Sequence, residues 1–374
     1  MKAYLRELIA PAQTNLLAIH LVREYLQARI LQSLQRAGAM QTLAFHGGTS
    51  LRFLYDIPRY SEDLDFALEL HPEAYDFRAY LQQISRDFSA EAYVMDIKLN
   101  DRQVVHKAFV RFRSLLHELG MSGHVEAVLA IKIEVDTNPP SHADLMTTPL
   151  NKYVPLHLQH HDPATLLAGK VCAILQREYT KGRDIYDLWW YLNQPEWPAP
   201  NLAYLNQCLQ QGKWENDLLS INNWQRIVRE KLLPLNWPLV MEDVGSFIID
   251  LDEQSDFTKE NLLGGQIIPF TQKTCRNRIF IQKFQKFVDC RFQFRLGDFF
   301  NRSNSRVTNS FPHRNGFGIL KLAFKFENVV QPLVFSFRRQ QGGIQIVQLH
   351  PILFTQIFPF GLYQRLLHSP PDFV

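Results

Sequence analysis

No apolar run in the chain approaches the ~18–20 uninterrupted residues that a membrane-crossing helix needs, so a helical membrane protein is not expected. Met1-Lys2-Ala3-Tyr4-Leu5-Arg6-Glu7 has no apolar signal core, and a cytoplasmic protein is expected. Cysteine is scarce. Cys172, Cys208, Cys275 and Cys290 are far apart and form no CxxC pair, which points to reduced thiols rather than a disulfide frame or a zinc site. Thirteen histidines include no HExxH arrangement, and His160-His161 reads as a polar loop pair. What remains is ordinary for a globular protein: 46% hydrophobic and 21% charged residues, in 374 residues that suffice for two domains or one large one.

The net charge of +3 conceals an asymmetry. Residues 265–374 hold 15 Lys/Arg against 4 Asp/Glu, whereas residues 1–264 hold 25 against 33. All six Trp precede residue 265, and 18 of the 27 Phe follow it. Segments with such different statistics are expected to differ in origin.

Helical spacing of Leu16, Leu17, Ile19, Val22, Tyr25, Leu26, Ile30 and Leu34 predicts an amphipathic helix over 14–37, ended by Gly38. A short strand at 42–46 leads into Gly47-Gly48, a helical turn at 50–55 follows, and the next strand is 61–68. A helix is expected at 73–88 after Pro72, then three antiparallel strands at 93–99, 103–112 and 125–137. Residues 138–153 read as a polar, proline-containing connection. Helices follow at 163–178, with Asp162 as N-cap and Pro163 at its start, and at 183–192, 202–211 and 221–233. The layout is a small mixed sheet followed by a mainly helical half, an α+β chain with no internal repeat.

The stretch from His46 to Leu68 carries the chemistry. A Gly-Gly turn lets backbone N–H groups approach a phosphate, because glycine has no Cβ to obstruct it. The order strand, glycine turn, helix aims helix-terminal N–H groups at an anion. Asp63 and Asp65, two apart, share one strand face, and Leu64, Phe66 and Leu68 root that strand in the core. Paired carboxylates a short loop from a phosphate cradle suit Mg²⁺ carrying a nucleoside triphosphate. Thr49 and Ser50 could donate hydroxyl hydrogen bonds to phosphate oxygens. Arg52 and Arg59 are candidates for triphosphate contacts or, equally, surface residues.

Two further clusters accompany it. Lys132, Glu134 and Asp136 alternate with Ile131, Ile133 and Val135, giving a strand with one charged face. Either it is a solvated face with Lys132 paired to Glu134, or Glu134 or Asp136 is a third carboxylate beside Asp63 and Asp65, able to accept the attacking hydroxyl's proton. Lys170 lies in an otherwise small and apolar helix, where a charge requires a partner. Lys170, Ala173 and Arg177 share a face, and Asp184, in the first turn of the next helix, could hold either cation. The alternative for Asp184 and Asp187 is a favourable interaction with the helix N-terminus, above all for Asp187. The run Trp189-Trp190-Tyr191 reads as core.

GGTSLR (47–52), RYSEDLDFAL (59–68) and KGRDIYDL (181–188), in that order, resemble the AbiEii/AbiGii-type nucleotidyltransferase toxins, over about residues 10–264. The resemblance implies a polymerase-β-like core with an appended helical domain, Mg²⁺ (or Mn²⁺) held by Asp63 and Asp65, a triphosphate cradled by Gly47, Gly48 and Thr49, and a pocket completed by Lys170 and Asp184. It implies transfer of a nucleotide from NTP to an acceptor hydroxyl with loss of pyrophosphate, the acceptor being the 3′ end of tRNA, and a cognate antitoxin. Glu134 and Asp136 both fit the third carboxylate. Nucleotidylation of a protein or small molecule, or nucleotide or antitoxin binding without catalysis, are the alternatives. The expected division is a transferase core at 1–155, a helical domain at 156–264, and a basic, Phe-rich tail at 265–374. No clear periodicity is evident in the tail, which reads as a fused or frameshifted sequence that builds no true domain, and poor order with sparse tertiary contacts is expected there. An RNA-binding appendage is the other reading of its Arg and Phe content.

Overall fold

The computed structural model describes residues 2–179, 181–194, 197–248 and 251–264, and the backbone of 317–326, 329–340 and 343–349. Two compact units divide the chain, at 1–274 and 275–374. The first opens with α1 (Lys2–Ile9) and α2 (Asn15–Arg36). Thr14 caps α2 by accepting a hydrogen bond from the Leu17 N–H at 3.1 Å. Then come β1 (Leu43–His46), α3 (Gly47–Leu54), β2 (Leu64–Leu68), α4 (Phe77–Ala90), β3 (Met95–Asn100), β4 (Val105–Arg113), the single turn α5 (Leu115–Glu118) and β5 (Val128–Asp136). β6 (Leu145–Lys152) and β7 (Val154–His161) complete a seven-stranded sheet of order β3-β4-β5-β2-β1-β7-β6.

The sheet is mixed. β2 runs parallel to β5 and β1 parallel to β7, while the remaining pairs are antiparallel. Period-two alternation gives it two distinct faces. Phe45, Leu64, Phe66, Val110, Phe112, Ile131, Ile133 and Val135 are buried together with residues of α2 and α4. The opposite face carries His46, Asp65, Lys107, Lys132, Glu134 and Asp136. The fold is α+β, as the alternation over 125–137 and the helical spacing over 14–37 imply.

Helices make up the rest of this unit: α6 (Pro163–Gln176), α7 (Gly182–Leu192), α8 (Leu202–Gln211), α9 (Trp224–Leu232), α10 (Trp237–Gly245), α11 (Leu251–Asp256) and α12 (Lys259–Gly264). Asp162 caps α6, accepting from Thr165 N–H at 2.8 Å. Trp189, Trp190 and Tyr191 are buried in a second apolar cluster with residues of α6, α8, α9 and α10.

Three expectations need correction. Residues 138–153 are not a plain connection, because β6 occupies half of them; it is an edge strand, the position that tolerates its Pro149. His160 and His161 are not in a loop. They end β7, buried, with the His160 imidazole hydrogen-bonded to Thr148 at 2.8 Å and that of His161 to Glu69 at 2.7 Å. Cys172 and Cys208 are not separate thiols but a disulfide, their Cα atoms 6.4 Å apart across the packed helices α6 and α8. Linear spacing gives no warning of it, since the chain turns back on itself within the sequence separation of 36. Cys275 and Cys290 lie outside the described residues.

In the second unit, β8 (Phe317–Phe326), β9 (Val329–Gln340) and β10 (Gly343–Leu349) form an antiparallel sheet of order β10-β9-β8. Strand pairing thus exists where no periodicity was evident, because the Phe- and Gln-rich composition masks the alternation. The expectation of sparse tertiary contacts across 280–360 falls mostly outside the described residues, as does the reading of the tail as an RNA-binding appendage.

A non-reducing peptide map should contain the Cys172–Cys208 cross-link. Its reduction should cost about 2–4 kcal/mol, read as a lowered denaturation midpoint of the reduced protein. Free thiols at both positions in the non-reduced protein would contradict the pairing.

Candidate functional site

The site begins with a collision avoided. Gly47, at φ +78°, starts α3 directly after β1, and a Cβ there would overlap the Asp65 carboxylate. Only glycine permits both the left-handed backbone and the approach. A Cβ on Gly48 would meet the Arg59 guanidinium in the same way. The glycine turn therefore sits between Asp65 on one side and Arg59 on the other. Antiparallel register sets His46 opposite Asp65, and parallel register sets Glu134 beside Asp65.

That register distinguishes the two candidates on β5. Glu134 is abreast of Asp65, whereas Asp136 is paired with Ala67, further along, and accepts from the Asn138 N–H at 3.0 Å. Asp63, just before β2, reaches Lys132 Nζ at 3.2 Å, and the same ammonium meets Glu134 at 2.7 Å. Lys107 completes the set at 3.1 Å from Glu134. The ion pair expected of a solvated face is present, and so is the clustering of carboxylates. Burial, then Asp63 and Glu134, push the Asp65 carboxyl up to about 6. Burial opposes ionisation of Glu134, but Lys132 and Lys107 hold it below the usual carboxylate range. Among the described residues no three Asp, Glu, His or Cys side chains converge as a ready metal cage.

The hydroxyls of the turn are engaged internally. Thr49 Oγ1 donates to the Asp63 carbonyl, and Ser50 Oγ donates to the Gly47 carbonyl at 2.8 Å. Both side chains are buried, so they hold the turn against β2 rather than facing a phosphate. Arg52 belongs elsewhere as well. It pairs with the buried Glu24 of α2 at 3.3 Å, donates to the Ile57 carbonyl at 3.0 Å, and lies over the Tyr60 ring at 4.4 Å. Spacing along the chain could not tell these roles apart, because the partners lie on other elements.

Arg59 is not at the surface. Its Nε and one terminal nitrogen donate to the two oxygens of Asp187 at 2.5 and 2.6 Å, with both side chains almost wholly inaccessible to water. Lys170 meets the same Asp187 at 2.7 Å and Asp184 at 2.8 Å, and Arg177 completes the chain on Asp184. Burial would raise the Asp187 carboxyl, but Arg59 and Lys170 outweigh it and hold it low. Burial and Arg59 lower the Lys170 ammonium, whose charge acts in turn on Asp65 and His46. Asp187 is therefore the hub of this network rather than only a helix N-terminal charge. The signal in the sequence was Lys170 itself, a cation among small apolar residues.

Lys181, quoted above only as part of a motif, also borders the site. Burial, with Arg177, Lys170 and Arg183 nearby, lowers its ammonium to about 8. His46, stacked on His161 at 5.2 Å, is pushed down to about 3 by burial and by His161, so it is neutral at physiological pH.

Fold and site together define an α+β protein with a carboxylate cluster on its sheet, facing a glycine turn and a buried lysine. The chain belongs to the family described as nucleotidyl transferase AbiEii toxin, type IV TA system, whose profile matches residues 29–259. No curated protein matches it. Among solved structures it is similar to JHP933 from Helicobacter pylori, at 17% identity and a TM-score of 0.40, covering 65% of this chain and 87% of that one. It is also similar to an H. pylori protein titled as a candidate nucleotidyltransferase, at 16% and 0.39, covering 63% and 88%.

Two outcomes follow from the geometry. Arg59→Ala leaves Asp187 short of a partner in the interior and should destabilise the protein by about 3–5 kcal/mol in denaturant titration. The second concerns Asp65, which binds its proton more tightly folded than unfolded. It therefore removes stability as pH rises from about 4 through about 6. Asp65→Asn should stabilise the metal-free protein at pH 7 and have little effect near pH 4; equal effects at both would contradict the raised carboxyl.

Proposed function

We propose that the chain is a nucleotidyltransferase that moves a nucleotide from NTP onto the 3′-terminal hydroxyl of tRNA, releasing pyrophosphate and blocking translation, and that a cognate antitoxin restrains it. The observation that carries this reading is the adjacency of Asp63, Asp65 and Glu134 to the Gly47-Gly48 turn. Family membership supports nucleotidyl transfer as the reaction class.

Oxygen donors of this kind suit Mg²⁺ or Mn²⁺, and after burial the charges of Asp63 and Glu134 add to the upward push on the Asp65 carboxyl. Asp63, Asp65 and Glu134 would hold the ion, which when bound supplies charge neutralisation along the triphosphate. The residues of the chain do the rest. Gly47 and Gly48 present backbone N–H groups without a Cβ in the way. Lys170, held by Asp184 and Asp187, keeps a fixed positive charge near Asp65 at no reorganisation cost during the reaction. Arg59 buttresses the turn from behind through Gly48, and Thr49 fastens it to Asp63. Asp136 lies two register positions beyond Glu134, abreast of Ala67 rather than Asp65, which favours Glu134 as the third carboxylate.

The test is incubation of the full chain with NTPs labelled at the α-phosphate, a divalent cation, and either total RNA or a protein extract. Label is expected at RNA 3′ ends with release of pyrophosphate, reduced by at least about 10³-fold in Asp63→Asn with Asp65→Asn. Gly47→Ala should lose activity comparably, since its Cβ overlaps Asp65. Label confined to protein, or transfer unaffected by the double substitution, would overturn the proposal.

A further inference from the structure

The sheet face that carries Glu134 does not end at the carboxylates. It continues outward over β4 and β3, where Lys98, Asn100, Phe109 and Arg113 are exposed, as are Val128 and Ala130 at the start of β5. On β3 and β4 this face presents Lys98, Lys107, Arg111 and Arg113 against the single carboxylate Asp96. Arg111 and Arg113 share that carboxylate, the latter at 2.7 Å, and Lys98 forms no ion pair among the described residues. A chain segment that is acidic in total, with 33 Asp/Glu against 25 Lys/Arg over residues 1–264, thus concentrates positive charge beside its candidate site.

Phe109 stands in the middle. Its neighbours Ala108 and Val110 are fully buried on the other face, while its own ring is 38% exposed. Register sets Lys98 on one side of it and Lys132 on the other, and Lys132 is the residue that reaches Asp63. A lone exposed aromatic needs no explanation. An aromatic between two lysines, on an open strand leading to paired carboxylates, does. Neighbouring strands lie about 5 Å apart and residues rise about 3.3 Å along each, so Phe109, two strands over and two residues along, is about 12 Å from Asp65. Exposed rings on a sheet face with flanking cations are suited to stacking unpaired bases while the cations meet phosphates.

We propose that the open β3–β4–β5 face docks the single-stranded 3′ end of a nucleic-acid acceptor, with Phe109 stacking a base and Lys98 contacting the backbone. This rests on the proposed transfer to RNA and adds where the acceptor strand lies. A duplex keeps its base faces stacked away and would gain little from the ring.

The test is fluorescence anisotropy of a labelled, unstructured oligoribonucleotide with the full chain, without NTP. Phe109→Ala should weaken binding about 5- to 100-fold and Phe109→Trp should restore it. Lys98→Ala should reduce the dependence of log affinity on log salt by about 1. Asp65→Asn should bind as wild type. Ultraviolet cross-links from a 4-thiouridine oligonucleotide should map to residues 94–113. Affinity of Phe109→Ala within about twofold of wild type, or cross-links wholly outside that stretch, would overturn the proposal. The two readings fail separately. RNA labelled by Phe109→Ala with an unchanged KM would sink the docking face alone. Weakened binding with no RNA labelled by wild type would leave the face standing and remove the transfer.

Discussion

Everything about the site depends on the buried ion network centred on Asp187. A carboxylate removed from water is tolerable only when its charge and its lone pairs are both met, and here Arg59 meets it from the loop before β2 while Lys170 meets it from α6. Those two cations come from opposite sides of the chain's first unit, the sheet and the helices. Joining them on one carboxylate ties α6 and α7 to the loop before β2. The same network orients Lys170 towards Asp65 and sets Arg59 behind Gly48. A structural tie and a functional geometry are thus one arrangement.

Charge near the carboxylates is balanced rather than neutral. Lys132 lies between Asp63 and Glu134, and Lys107 adds to it, yet Asp65 stays protonated to about 6. Burial is the first cause of that shift, and the charges of Asp63 and Glu134 come after it. The glycine turn has an equally exact requirement. Thr49 spends its hydroxyl on the Asp63 carbonyl and Ser50 on the Gly47 carbonyl, which fastens the turn.

Legibility along the chain followed locality. The helix at Asn15–Arg36, the cap Asp162, and the strands of β3 to β5 were evident from periodicity and neighbouring residues. β6 was missed because an exposed edge strand with a proline has little apolar alternation to display. The Cys172–Cys208 pair was missed because spacing carries no sign of which helices pack. In the site, Asp63, Asp65, Glu134, Lys170 and Asp184 were recognisable as residue types in pattern. Arg52 was misjudged because its partner, Glu24, lies on another helix.

By itself the sequence determined the local elements, the two-faced alternation of the strands and the family to which the chain belongs, because those depend on residues within a turn or a strand of one another. Tertiary structure alone decided which of Glu134 and Asp136 stands beside Asp65, which carboxylate receives Arg59, and that Phe109 faces outward beside the site. The physical reason is that register and helix packing bring together groups more than a hundred residues apart, as with Arg59 and Asp187. An interaction at that separation leaves no periodic trace in the chain.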